Sequence, residues 1–193
     1  SGILEFNFYY YLCIKGQCGQ QCFNLHCHIR PHYCKNNKMI PLNLPNFDIK
    51  LAGTPNRPTI LDILRRKYVA LTPEEWVRQH FIHFLINYKK YPATLLANEV
   101  ELKVGQKRLR ADTILYSKDL KPLMILEYKA PHITITQKTF DQISVYNMLL
   151  HVDYLIVSNG LQHYCCKMDY NSKKYLFLED IPEYQNILQN IMG

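Results

Sequence analysis

Asp112, Glu127 and Lys129 are residues of the types, and at the spacing, that hydrolyse a phosphodiester with the help of a divalent cation. Arg110-Ala111-Asp112 opens one apolar run and Glu127-Tyr128-Lys129 closes the next. Side chains alternate faces along a strand. Asp112, Ile114 and Tyr116 would therefore share one face of the first run, and Leu123, Ile125, Glu127 and Lys129 one face of the second. If the runs pair through the polar connection Ser117-Lys118-Asp119-Leu120-Lys121-Pro122, the aspartate and the Glu/Lys pair converge at the sheet surface. Two hard carboxylates, a backbone oxygen and water suit Mg2+, with Mn2+ able to substitute. A nearby lysine can stabilise phosphate charge or orient the attacking water. The same residues also fit solvated strand ends with cross-strand ion pairs. Leu123-Met124-Ile125-Leu126 tips the balance, because it is apolar on both faces, and charges at the end of such a strand need a partner or a task.

The pattern Asp112, then Glu127-x-Lys129, resembles the PD-(D/E)XK nuclease superfamily, and its surroundings resemble the N-terminal nuclease domain of type I restriction enzyme R proteins. The matching pieces run in order over about residues 42 to 185. They are Thr72-Pro73-Glu74-Glu75-Trp76-Val77-Arg78-Gln79, Arg110-Ala111-Asp112, Glu127-Tyr128-Lys129-Ala130-Pro131, Gln142-Ile143-Ser144-Val145-Tyr146 and Ser158-Asn159-Gly160. Ala111 stands where the superfamily's name suggests proline. The resemblance implies a restriction-endonuclease-like α/β core, a mixed central sheet flanked by helices. It also implies a Mg2+-dependent deoxyribonuclease, an endonuclease rather than an exonuclease, with Asp112 and Glu127 as metal ligands, the carbonyl of Tyr128 beside them, and Lys129 catalytic. Gln142 and Tyr146 match a Q-x-x-x-Y element that supports such a site or contacts DNA. Their spacing places them on one helical face. Glu75 has two readings: a carboxylate near the metal, or one half of a capping box in Thr72-Pro73-Glu74-Glu75, and the cap is favoured.

The chain has 193 residues, 23 Lys and Arg against 16 Asp and Glu, and a formal net charge of +7, which suits a polyanionic partner without establishing one. Lys103, Lys107, Arg108 and Arg110 gather around a hairpin turn expected at Gly105 and are the candidate DNA contacts. Arg65-Arg66-Lys67 and Lys89-Lys90 are further basic clusters. Residues 1 to 40 read as a separate extension, disordered or upstream of the working protein. It holds Cys13, Cys18, Cys22, Cys27 and Cys34 among His26, His28 and His32. Its spacings form no paired C-x-x-C knuckles, so zinc is not expected there, although a zinc-binding adaptor stays open as a reading. Cys165-Cys166 read as small core residues. No export signal and no membrane-length apolar run is evident, and a cytoplasmic location is expected.

Residues 41 to 193 are expected to form the nuclease-like domain. Within it, 41 to 58 should be an extended arm, followed by a short basic helix near Ile60 to Lys67. Hydrophobic periodicity predicts a helix over about 73 to 89, its core positions Val77, Phe81, Phe84, Leu85 and Tyr88. Strands follow near 94 to 103, 108 to 116 and 123 to 129, then a helix over 137 to 151. Strands near 153 to 158, 162 to 168 and 174 to 178 and a helix near 182 to 191 complete the domain. The chain contains no G-x-x-x-x-G-K-[ST] loop, so a nuclease here acts alone or with a motor or specificity protein encoded elsewhere. Pairing into a homodimer is the expected route to cutting both strands. A nucleic-acid-binding or scaffold module that keeps the fold without turnover is the alternative function.

Overall fold

The computed structural model describes residues 40–104, 106–172 and 174–192. The Cys/His-rich segment and the zinc reading attached to it lie outside these residues.

Residues 41 to 50 carry no strand or helix, as an arm would, but from Leu51 onward the region expected to be arm and basic helix is a three-stranded antiparallel sheet. Its strands are β1 (Leu51–Thr54), β2 (Arg57–Asp62) and β3 (Lys67–Ala70), in that spatial order. Ile60 and Leu64 suggest one helical face, but the decisive period is two, with Ile60 and Asp62 buried on the same side of β2. Asp62 stops any helix there. Its Oδ1 accepts the backbone N–H of Leu64 and of Arg65, each at 3.0 Å, and its Oδ2 pairs with Arg65 Nε at 2.5 Å. Arg66, at φ 53°, completes the tight reversal into β3.

The chain then enters α1 (Pro73–Asn87). Thr72 caps it by accepting the N–H of Glu75 at 3.1 Å, proline occupies the first turn, and Glu74 and Glu75 place negative charge at its positive end. After a 3-10 turn at Ala93–Leu95 come β4 (Leu96–Val104), β5 (Lys107–Tyr116) and β6 (Pro122–Tyr128), then α2 (Gln137–Leu150), β7 (Tyr154–Ser158), β8 (His163–Asp169), β9 (Lys174–Leu178) and α3 (Tyr184–Met192). The six strands form one mixed sheet in sequential order from β4 to β9. Only β6 and β7 run parallel, because α2 carries the chain back across the sheet between them.

Helices cover both faces of the centre of that sheet, which is why β6 reads as apolar throughout. Val77, Phe81 and Leu85 of α1 belong to one core with Met124, Leu126, Tyr128, Tyr154 and Ile156. On the other face Phe140 of α2 packs edge-on against Tyr164 and Phe177, and Ile143 is buried. Cys165 and Cys166 are buried free thiols pointing to opposite sides of β8. Tyr88, expected in the core, is exposed at the C-terminal cap of α1, where its ring stacks on Phe84. Among the described residues no helix is long and apolar enough to cross a membrane.

Candidate functional site

Three adjacent strands deliver the acidic residues. In the β4–β5 ladder Asn98 pairs with Thr113 and Val100 with Ala111, so the step between them sets Glu99 opposite Asp112. In the β5–β6 ladder Thr113 pairs with Leu126, and continuing that register by one residue sets Asp112 opposite Glu127. Regular pairing stops at this step. Glu99 is left-handed, with φ 56°, and the Asp112 Oδ2 accepts the N–H of Tyr128 at 2.8 Å in place of a backbone carbonyl. The break lets the Asp112 carboxylate turn out of the ladder to reach both the Tyr128 N–H and Arg78.

Glu127 is almost fully buried. Lys129 Nζ lies 2.8 Å from its Oε1, and Gln142 Nε2 of α2 donates to the same oxygen at 3.1 Å. Lys129 also donates to Gln142 Oε1 at 3.4 Å, closing a triangle. The backbone of Lys129 is pinned to β7 by a 2.9 Å bond from its N–H to the carbonyl of Ser158. Burial, reinforced by the charge of Asp112, pushes the Glu127 carboxyl up to about 7 despite the Lys129 ammonium beside it. Burial works against the charge of Lys129, but the hydrogen bond and charge of Glu127 outweigh it and its pKa rises. Lys129 therefore stays protonated and acts as a positive group.

The sequence matches one family over just this region. Residues 73–182 fit the family described as Type I restriction enzyme R protein N terminus. The chain belongs to that family. Similar solved structures include the fragment structure of a chain described as an HsdR subunit of a type I restriction enzyme from Vibrio vulnificus YJ016. It is 17% identical, with a TM-score of 0.48, over 64% of this chain and 26% of that one. A cryo-electron microscopy structure of a DrdV–DNA complex is 19% identical, with a TM-score of 0.38, over 60% of this chain and 11% of that one. The chain thus spans about a quarter and a tenth of the lengths of these two. No curated protein matches it. The family match begins at Pro73 and so excludes the β1–β3 sheet, which the sequence resemblance had included.

Within this member of the R protein N-terminal family, Glu75 does not complete a capping box. Its N–H serves the cap, but its carboxylate turns inward: Oε2 pairs with Arg78 Nη1 at 2.7 Å and Oε1 accepts from Gln79 Nε2 at 2.7 Å. Arg78 ties α1 to the strands, with the same Nη1 at 2.6 Å from Glu99 Oε1 and Nη2 at 2.8 Å from Asp112 Oδ1. Burial opposes the charge on Arg78, but Asp112, Glu75 and Glu99 together drive its pKa further up. Reading the sequence missed Arg78 and Glu99 as site residues. Arg78, three residues after Glu75 on a helix, carried a legible signal. Glu99 carried none, because only the strand register brings it to Asp112.

Tyr146 lies one turn beyond Gln142 and is buried in the packed side of α2. Lys103 and Arg108 are exposed and directly opposite each other on the β4–β5 hairpin, and Lys107 opens β5. Arg110 is exposed but committed, with its Nε 2.7 Å from Glu99 Oε2.

The donor set fits a hard divalent cation. Asp112 and Glu127 offer carboxylate oxygens on neighbouring strands, and the carbonyl of Tyr128 ends the second strand. Among the described residues no group of three or more His, Cys, Asp or Glu could hold a metal, so most remaining ligands would be water. That division of ligands is usual for Mg2+.

Proposed function

We propose that this domain is a metal-dependent deoxyribonuclease that hydrolyses phosphodiester bonds as an endonuclease. The observation that carries this reading is Glu127, buried beside Asp112 across the β5–β6 register and bonded to both Lys129 and Gln142. Family membership supports it. Asp112, Glu127 and the Tyr128 carbonyl would hold Mg2+, or Mn2+ in its place. Bound there, the cation would polarise the scissile phosphate and acidify a water molecule. Lys129, protonated and held by Glu127, places positive charge where the phosphoryl oxygens become more negative during attack. Gln142 fixes the orientation of both partners, while Tyr146 holds α2 in place beneath it. Lys103 and Arg108 would contact the DNA backbone without reading bases, with Arg110 joining them only when released from Glu99.

The test is incubation of the protein with supercoiled, linear and single-stranded DNA in Mg2+, Mn2+ or EDTA, beside Asp112→Ala and Lys129→Ala. Cleavage in metal, absent in EDTA and reduced at least about a thousandfold in both variants, is the expected outcome. Cleavage retained in both variants would remove the site assignment. Salt-sensitive DNA binding without cleavage by the unaltered protein would favour a binding module, or a nuclease whose motor or specificity partner must be present.

A further inference from the structure

The nuclease reading leaves Arg78 without a task. Its side chain is only 7% exposed, yet it contacts three carboxylates, those of Glu75, Glu99 and Asp112. A buried guanidinium must be neutralised, but Glu75 and Glu99 already share its Nη1 and suffice for that. Asp112 is therefore the partner Arg78 can release without being left as an uncompensated buried charge. It is also the carboxylate that faces Glu127. Its Oδ2 is anchored by the N–H of Tyr128, so Oδ1 is the oxygen whose partner can change.

We propose that Arg78 is a built-in counter-ion that occupies Asp112 in the metal-free protein and yields it to an arriving divalent cation, staying neutralised by Glu75 and Glu99. Metal loading is then an exchange of cations on Asp112. The inference rests on the metal-dependent reading of the site. It differs from a purely bracing role in the sign of its effect. A brace orients Asp112, and removing it loosens a ligand and weakens metal binding. A competing cation does the reverse, because its removal frees Asp112 and leaves the site more negative.

The experiment is titration of the metal-free full chain with Mn2+, followed by the electron paramagnetic resonance of the free ion, for the unaltered protein, Arg78→Gln and Glu99→Gln. Arg78→Gln is expected to bind Mn2+ about tenfold or more tightly than the unaltered protein. Glu99→Gln is expected to bind it more weakly, since an Arg78 deprived of one partner presses harder on Asp112. Metal-free Arg78→Gln should also unfold at lower denaturant, with the deficit shrinking as Mn2+ is added. Equal or weaker Mn2+ binding by Arg78→Gln would overturn the exchange and leave the nuclease reading standing. Should Arg78→Gln fail to fold in either condition, Glu99→Gln decides, and equal or tighter binding there overturns the exchange. Absence of Mn2+ binding in every form overturns the metal-dependent reading and the exchange with it.

Discussion

At Glu127 burial and a neighbouring negative charge act in the same direction. The carboxyl rises from its ordinary 4.5 to about 7, so folding favours its protonated form. A group raised in this way contributes stability that is full below its ordinary pKa and is lost as pH climbs through the folded value. Metal-free protein in EDTA should therefore lose stability from this residue between about pH 4.5 and 7, by at most about 3 kcal/mol. Glu127→Gln should remove that part of the slope. At pH 8 it should leave the metal-free fold more stable than that of the unaltered protein. Denaturant midpoints from pH 5 to 8 for both proteins check this, and parallel curves would show that Glu127 is not the group responsible. The residue's chemistry was legible from its type and its neighbours, but the direction of its titration was not, because that depends on its burial and on Asp112 lying across the ladder.

Among the elements, the turn after β7 shows how backbone geometry seats the site. Ser158 holds Lys129 through its carbonyl, and its hydroxyl accepts the N–H of Gly160 at 3.0 Å. Asn159 Oδ1 accepts the N–H groups of Leu161 and Gln162, while its Nδ2 donates to the carbonyl of Ile133 and so ties down the loop after β6. Gly160 has φ 82°, and an added Cβ would lie 2.7 Å from Leu42 and 3.0 Å from Val77. Gly160→Ala should cost about 1–3 kcal/mol from left-handed strain and crowding together. Its measurable signature is a lower denaturation midpoint with an unchanged m-value; an unchanged midpoint would mean the turn adapts freely. The β2–β3 hairpin gives the opposite lesson about legibility. Its residues include good helix formers, and the reading of 60–67 as helix failed because one buried aspartate stops the chain and connects it elsewhere. Asp62 Oδ2 accepts from Asn98 Nδ2 at 3.0 Å, and Asn98 in turn accepts from Thr113 at 2.7 Å. Those partners are 36 and 51 residues away in sequence, beyond the reach of any local pattern.

For the whole molecule, a net charge of +7 predicts DNA affinity dominated by phosphate contacts and falling steeply with salt. Lys103 and Arg108, exposed and opposed on the β4–β5 hairpin, are free to make such contacts, whereas Arg110 is held by Glu99. Lys103→Ala and Arg108→Ala should each lower the slope of log K against log salt by about one, on any sequence. Arg110→Ala should change it less. Fluorescence anisotropy on one duplex over a range of salt concentrations measures all three. Slopes that do not move would place the DNA on another face.

Sequence by itself determined the main sheet, its helices and the position of Asp112, Glu127 and Lys129. Those signals are short in range: alternation along β6, the Thr72 cap and proline that start α1, and helical spacing that sets Gln142 one turn before Tyr146. The tertiary structure alone decided which charges neutralise which. Arg78 reaches Asp112 across 34 residues of chain because α1 packs over β6, and Glu99 reaches Arg78 from a left-handed residue that breaks its ladder. Pairings of that kind depend on register and on the packing of helix against sheet, and neither is encoded in the spacing of residues along one strand or one helix.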